Sequence, residues 1–114
     1  MTKESLNLSE KPSVLKDLVV TQSGAVVSRV LLNRPTGSVT LFAFDAGEGL
    51  SEHTSPYDAL VQILEGKAHI FIASQEHIVE AGFILLLPAN IPHALEAKES
   101  FKMLLTMIRD KKAE

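Results

Sequence analysis

The chain has 114 residues, of which 46% are hydrophobic, 22% charged and 5% aromatic, with a net charge of −3 and no cysteine. This length suits one domain, and the apolar content with a small net charge excludes a disordered chain. The lack of cysteine excludes disulfides, thiolate metal ligands and thiol nucleophiles, and the acidic balance argues against nucleic acid as a partner.

The N-terminal residues 1–17 predict a leader that is weakly structured or packed at an edge, because Lys11-Pro12 and scattered charges suit neither strand nor helix. Residues 18–110 are predicted to form the single domain, followed by a tail over residues 111–114. The polar N-terminus lacks the apolar region of a secretory signal, and no stretch suits a membrane span. We therefore expect a cytoplasmic protein that does not contact membranes.

Short apolar segments separated by turn residues follow the leader. They cover residues 18–20, 25–32, 38–44, 59–64, 68–73, 83–87 and 101–108. Short strands at this spacing indicate an all-β sandwich or barrel. The last segment, FKMLLTMI, fits the periodicity of a strand and of a helix, and we predict a strand because its neighbours are strands.

Two of these segments, residues 39–44 and 83–87, are apolar on both faces. One face of an antiparallel sheet usually meets water, so such strands need a second cover. A partner subunit is the simplest cover for a chain this short, which predicts a homodimer.

Residues 45–65 contain five carboxylates and no lysine or arginine. This run is either a solvated rim of loops or a negative mouth that attracts a cation or a basic ligand.

Two longer motifs contain the histidines of greatest interest. In GEGLSEHTSPYDALVQILEG, residues 47–66, His53 follows the first glycine after five intervening residues. In GFILLLPANIPHALEA, residues 82–97, Pro88 and His93 follow the glycine at the spacing of a second motif. The two stretches resemble the signatures G-x5-H-x-H-x3,4-E-x6-G and G-x5-P-x-G-x2-H-x3-N of the cupin superfamily.

This resemblance implies an antiparallel jelly-roll barrel, also called a double-stranded β-helix, and single-domain members of this kind are usually homodimers. Asn90 stands where the second signature has glycine, and Ala97 stands where it has asparagine. Asparagine at position 90 is a mild change, because it also tolerates a left-handed backbone.

In metal-binding cupins the two histidines and the glutamate of the first signature, with the histidine of the second, hold one divalent metal. His53 and His93 match two of these ligands, whereas Ser55 and Ala59 stand at the other two positions. Asp58 is a doubtful replacement, because one step along a strand turns a side chain to the opposite face unless a bulge intervenes. The resemblance therefore implies a divalent metal (Mn, Fe, Ni, Co or Zn) that is weakly held or absent.

The predicted ligand pocket is lined by His53, Ser55, Ala59, Val61, Ile63 and His93. The leading hypothesis is a small-molecule-binding or sensing module whose pocket can weakly hold a divalent metal, with no catalytic residue assigned. One alternative is a metal-dependent enzyme of the dioxygenase, isomerase or decarboxylase type. A further alternative is a dimeric scaffold in which His53 and His93 are hydrogen-bonded remnants of a lost site.

The remaining histidines are weaker candidates. His69 is predicted on the strand face opposite Ala68 and Ile70, which suit the core better. His77 is predicted in a solvated turn after Ser74-Gln75-Glu76.

Overall fold

The computed structural model describes residues 2–5 as backbone, together with Leu8 and residues 11–109. The predicted tail over residues 111–114 and part of the predicted leader lie outside the described residues. The described residues form ten strands, which are β1 Thr2–Ser5, β2 Val26–Arg34, β3 Gly37–Phe44, β4 Gly49–His53, β5 Asp58–Glu65, β6 Lys67–Ile72, β7 Gln75–Glu80, β8 Ile84–Leu87, β9 His93–Glu96 and β10 Phe101–Ile108.

The strands form two sheets that face each other. The larger sheet has the order β1-β2-β3-β10-β5-β8, and the smaller has the order β4-β9-β6-β7. All pairs are antiparallel except β1 with β2, which are parallel. The predicted all-β jelly roll is confirmed, and FKMLLTMI is the strand β10.

The main core fills the space between the sheets. Phe44 and Phe101 are fully buried and stack with ring centroids 4.4 Å apart, and Phe42 lies 6.0 Å from Phe44. Ile70 and Leu95 contribute from the smaller sheet. Burying each such side chain stabilises the fold by about 1.5–3 kcal/mol.

A second, smaller core lies on the outer face of the larger sheet. Leu41 and Ala43 of β3 are fully buried there, beneath Val19 and the leucines of a short 3-10 helix, Leu15–Leu18. The prediction that a partner subunit covers this part of the sheet is therefore wrong. The strand is apolar on both faces because the chain folds its own N-terminal segment over it.

Other apolar side chains on the larger sheet remain uncovered within the described chain. Ile84 and Leu86 of β8 are 57% and 48% exposed, and Ile108 at the end of β10 is 61% exposed. These residues are the part of the surface to which the homodimer prediction still applies. No helix among the described residues has the length and apolar character that crossing a membrane requires.

Left-handed backbone marks two turns that matter for the site. Ala73 and Ser74 both have positive φ, which is the geometry of a tight type I′ hairpin between β6 and β7. His77 consequently lies within β7, opposite Ile70, and its predicted place in a solvated turn is wrong. Asn90 has φ +65°, which confirms that asparagine takes the left-handed position of the signature glycine.

Candidate functional site

His53 and His93 face each other across neighbouring strands of the smaller sheet. Leu50 of β4 pairs with Leu95 of β9, and His53 pairs with His93, so three steps along β4 match two along β9. The extra residue is a β-bulge, which returns His53 to the face that Leu50 occupies. Without it, simple alternation would turn His53 away from the barrel interior.

Backbone carbonyls hold both imidazoles in a defined tautomer. The ring centroids lie 4.3 Å apart with the planes at 69°. Nδ1 of His53 lies 2.7 Å from the Ser51 carbonyl oxygen, and Nδ1 of His93 lies 3.2 Å from that of Ile91. A carbonyl only accepts hydrogen bonds, so each Nδ1 carries a proton that it donates. In the neutral rings each Nε2 is then an acceptor with an available lone pair.

Burial disfavours the charged form of His93. The His93 side chain lies in a site that is only 8% exposed. Desolvation lowers its pKa below the ordinary value of 6.5 and the nearby His53 lowers it further, while the hydrogen bond to Ile91 opposes both effects. The lowered pKa favours the neutral ring of His93, whose Nε2 is an acceptor.

The other predicted metal positions do not join this pair. Ala59 is on the inner face of β5, paired with Leu87 and Met107, and its methyl group has no ligand atom. Asp58 precedes it on the outer face, where Oδ1 accepts a hydrogen bond of 2.8 Å from the Ala89 amide. Among the described residues, no three histidine, aspartate or glutamate side chains lie close enough to hold a metal together.

Ser55 belongs to the loop between β4 and β5. Its hydroxyl accepts a hydrogen bond of 3.3 Å from the Tyr57 amide, and its carbonyl accepts one of 2.7 Å from the Asn90 amide. The second of these bonds ties together the two loops that carry the signature motifs. Ser55 therefore has a structural part in the loops beside the histidines.

Val61 and Ile63, the deeper members of the predicted pocket, are fully buried in the main core. Ile63 pairs with Met103, which is also fully buried. A cavity of about 250 Å³ lies against β2, β3 and β10 instead, and its lining includes Ser28, Thr40 and Arg109. Sequence reasoning missed these residues, although Ser38, Thr40 and Phe42 alternate on one strand face as a pocket wall would.

His69 lies on the outer face of the smaller sheet, as its predicted position opposite Ala68 and Ile70 requires. It is nevertheless 7% exposed, and its Nδ1 lies 2.9 Å from Oε2 of Glu76 in the next strand. This pair connects β6 and β7 on the side of the sheet away from the barrel interior.

The family model of the cupin domain matches residues 40–109. A conserved protein of unknown function from Streptococcus pyogenes is 36% identical, with 91% of each chain covered and a TM-score of 0.87. A cupin superfamily protein from Desulfitobacterium hafniense is 32% identical over 90% of this chain and 94% of its own, with a TM-score of 0.85.

A cupin 2 conserved barrel domain protein from Leptotrichia buccalis is 40% identical over 82% of this chain, with a TM-score of 0.80, but only 46% of that longer chain is covered. A comparison with curated proteins gave no match. The matched domain model, the relatives above 30% identity and the two signature motifs agree with the barrel. The chain belongs to the cupin superfamily as a small conserved barrel domain.

Proposed function

We propose that this barrel is a small-molecule-binding module whose ligand is held by the Nε2 atoms of His53 and His93. The observation that carries the proposal is the pair of Nδ1–carbonyl hydrogen bonds to Ser51 and Ile91. Nε2 lies across each ring from Nδ1, so a ring bonded to its own chain through Nδ1 directs Nε2 away from that bond. Two fixed acceptors on one sheet face favour a ligand that presents hydroxyl or other donor groups.

The donor set does not fit a tightly held catalytic metal. Catalytic zinc sites use three protein ligands, and non-haem iron sites use two histidines and a carboxylate. Here Ala59 provides no ligand and the Asp58 carboxylate is engaged with Ala89 on the other strand face. Two neutral imidazoles also leave the charge of a divalent cation uncompensated in a partly buried site. Binding of an organic molecule is the chemistry that these residues support best.

A thermal-shift screen of metal-free protein against small hydroxylated compounds, carboxylates, sugars and phenols tests the proposal. A ligand at a hundred times its dissociation constant should stabilise the fold by about 2.7 kcal/mol. We expect His53→Ala and His93→Ala to abolish this gain. His69→Ala is the matched control, because it removes an imidazole from the outer face of the same sheet.

Two outcomes would overturn the proposal. A screen without any stabilising compound would favour the scaffold with a vestigial pocket. A hit that both histidine variants retain would place the binding site elsewhere.

Elemental analysis of protein purified without a histidine tag distinguishes the proposed binding module from the alternative of a metal-dependent enzyme. Histidines that ligate metals usually donate their second ring nitrogen to a carbonyl or carboxylate, as both imidazoles do here. If the protein contains near-stoichiometric Mn, Fe, Ni, Co or Zn and His93→Ala loses this metal, the result would favour the metal-dependent enzyme over the binding module.

A further inference from the structure

The cavity of about 250 Å³ lies at the same end of the barrel as the histidine pair. Its lining residues Leu105 and Met107 are the register partners of Val61 and Ala59. Ala59 pairs in turn with Leu87, where β8 ends before the loop that leads to His93. The cavity therefore occupies the wall of the larger sheet at the end where the smaller sheet carries the histidines.

The cavity lining combines apolar side chains with hydroxyl groups. Phe42, Leu105 and Met107 supply the apolar part, and Ser28 and Thr40 supply hydroxyls. A volume of 250 Å³ equals that of about eight molecules of liquid water, at about 30 Å³ each. A ligand of this size is small, with an apolar body and few polar groups.

Among the described residues that line this cavity, Arg109 is the one that carries a formal charge. None of the described lining residues is acidic, although the chain as a whole carries a charge of −3. Nη1 of Arg109 donates to the Arg34 carbonyl at 2.7 Å and to Oδ1 of Asn33 at 3.2 Å, and its backbone amide donates to Thr36 at 2.8 Å. Both side-chain hydrogen bonds use Nη1. The N–H groups of Nε and Nη2 are therefore the donors that could bind an anion.

The geometry points to a small monocarboxylate with an apolar body as the ligand of this barrel, its carboxylate bound by Arg109. This inference rests on the proposed function, since it names the chemical class that the binding module takes. In this arrangement the apolar body lies against Phe42, Leu105 and Met107. A guanidinium held by other groups is well suited to a carboxylate, because its planar donors match the two oxygens.

Matched acids and amides test this inference on the unmodified protein. The probes are isovalerate, 2-hydroxyisocaproate and benzoate, each compared with its primary amide, which has the same shape without the charge. We expect each acid that binds to do so at least about tenfold more tightly than its amide. The measurement is the chemical shift of the Leu105 and Met107 methyl groups in a methyl-labelled sample at fixed pH.

Variants then assign the charge to one residue. Arg109→Gln should abolish the preference for acids, and Arg109→Lys should keep part of it. Arg34→Gln is the matched control, because Arg34 is an exposed arginine on the same side of the barrel and is not among the lining residues of the cavity. The urea midpoint of each variant shows whether it is folded.

The outcomes distinguish this inference from the proposed function. If the amides bind as tightly as the acids and binding is lost in His93→Ala, the inference that a carboxylate is recognised is wrong, whereas the proposed small-molecule binding is retained. Acids that bind equally well to Arg109→Gln would overturn the role of Arg109. If no acid of the series binds with a dissociation constant below about 10 mM, which corresponds to a binding free energy of about 3 kcal/mol, the inference is wrong. The broader thermal-shift screen tests the proposed function separately.

Discussion

Replacing Ala59 by glutamate is expected to turn the His53–His93 pair into a metal site. Ala59 lies on the inner face of β5 at the position where the first signature has its glutamate. The change adds a carboxylate to two imidazoles whose Nδ1 atoms are already fixed by carbonyls. The result is the combination of two histidines and one carboxylate that divalent transition metals bind.

The size of the effect follows from opposing contributions. Ala59 is 6% exposed, so a glutamate without metal buries a poorly paired carboxyl and lowers the free energy of unfolding by about 1–3 kcal/mol. Cobalt at a hundred times its dissociation constant returns about 2.7 kcal/mol. For a domain of this length, 1 kcal/mol corresponds to roughly 4 °C, so we expect cobalt to raise the melting temperature of Ala59→Glu by about 11 °C.

The assay is thermal unfolding of tag-free protein with and without cobalt, combined with the visible absorption of bound Co²⁺. Ala59→Gln is the control for size, and the double variant Ala59→Glu with His93→Ala is the control for the site. If cobalt stabilises Ala59→Glu no more than Ala59→Gln, then position 59 does not face the histidine pair. The unmodified protein should show a smaller shift, because it lacks the carboxylate.

Three further predictions address stability, titration and assembly. Gly66→Ala should lower the free energy of unfolding by about 3 kcal/mol, since φ is +74° and an added Cβ would collide with the Ser100 carbonyl. Gly82 has φ +90° with open space around it, so Gly82→Ala should lower the free energy of unfolding by only about 1 kcal/mol. Equal losses for the two variants in urea unfolding would contradict the collision with Ser100. Because the pKa of His93 is lowered in the folded state, the free energy of unfolding should fall as the pH drops below 6.5. In His93→Gln the free energy of unfolding should depend less on pH over this range. A titration midpoint above 6.5 for His93 in an NMR experiment would refute the prediction. Leu86→Lys should shift the mass measured by light scattering from dimer to monomer. Ile78→Lys should not, although Ile78 on the other sheet is 56% exposed against 48% for Leu86. If the unmodified protein is monomeric at all concentrations, the predicted dimer is refuted.

The strands and the family could be predicted because their signals are local. Apolar segments bounded by turn residues define the strands, and the signature motifs fix the order of the glycines and histidines along the chain. Asn90 is the sharpest case, because its tolerance of a left-handed backbone follows from its side chain alone, and the structure gives φ +65°.

The features that sequence reasoning missed depend on pairing between distant parts of the chain. The bulge in β4 exists only relative to β9, some forty residues away in sequence. The burial of Leu41 by Val19 and the place of Arg109 beside Asn33 likewise arise from contacts between distant segments. The sequence predicts the turn before His77 too late in the chain, because alanine is an unusual residue for positive φ and the hairpin turn is formed by Ala73 and Ser74.

The stacked rings of Phe44 and Phe101 have a consequence for the kinetics of binding. They fill the barrel beyond Phe42, which lines the cavity, and both rings are fully buried. If the barrel binds a small molecule as proposed, these rings block the way past Phe42, so the molecule would leave by the opening through which it entered. Its residence time then depends on the loops at that opening, which the bond between Ser55 and Asn90 fastens together. A substitution that breaks this loop-to-loop bond without moving His53 or His93 should change the association and dissociation rates by the same factor and leave the equilibrium affinity unaltered.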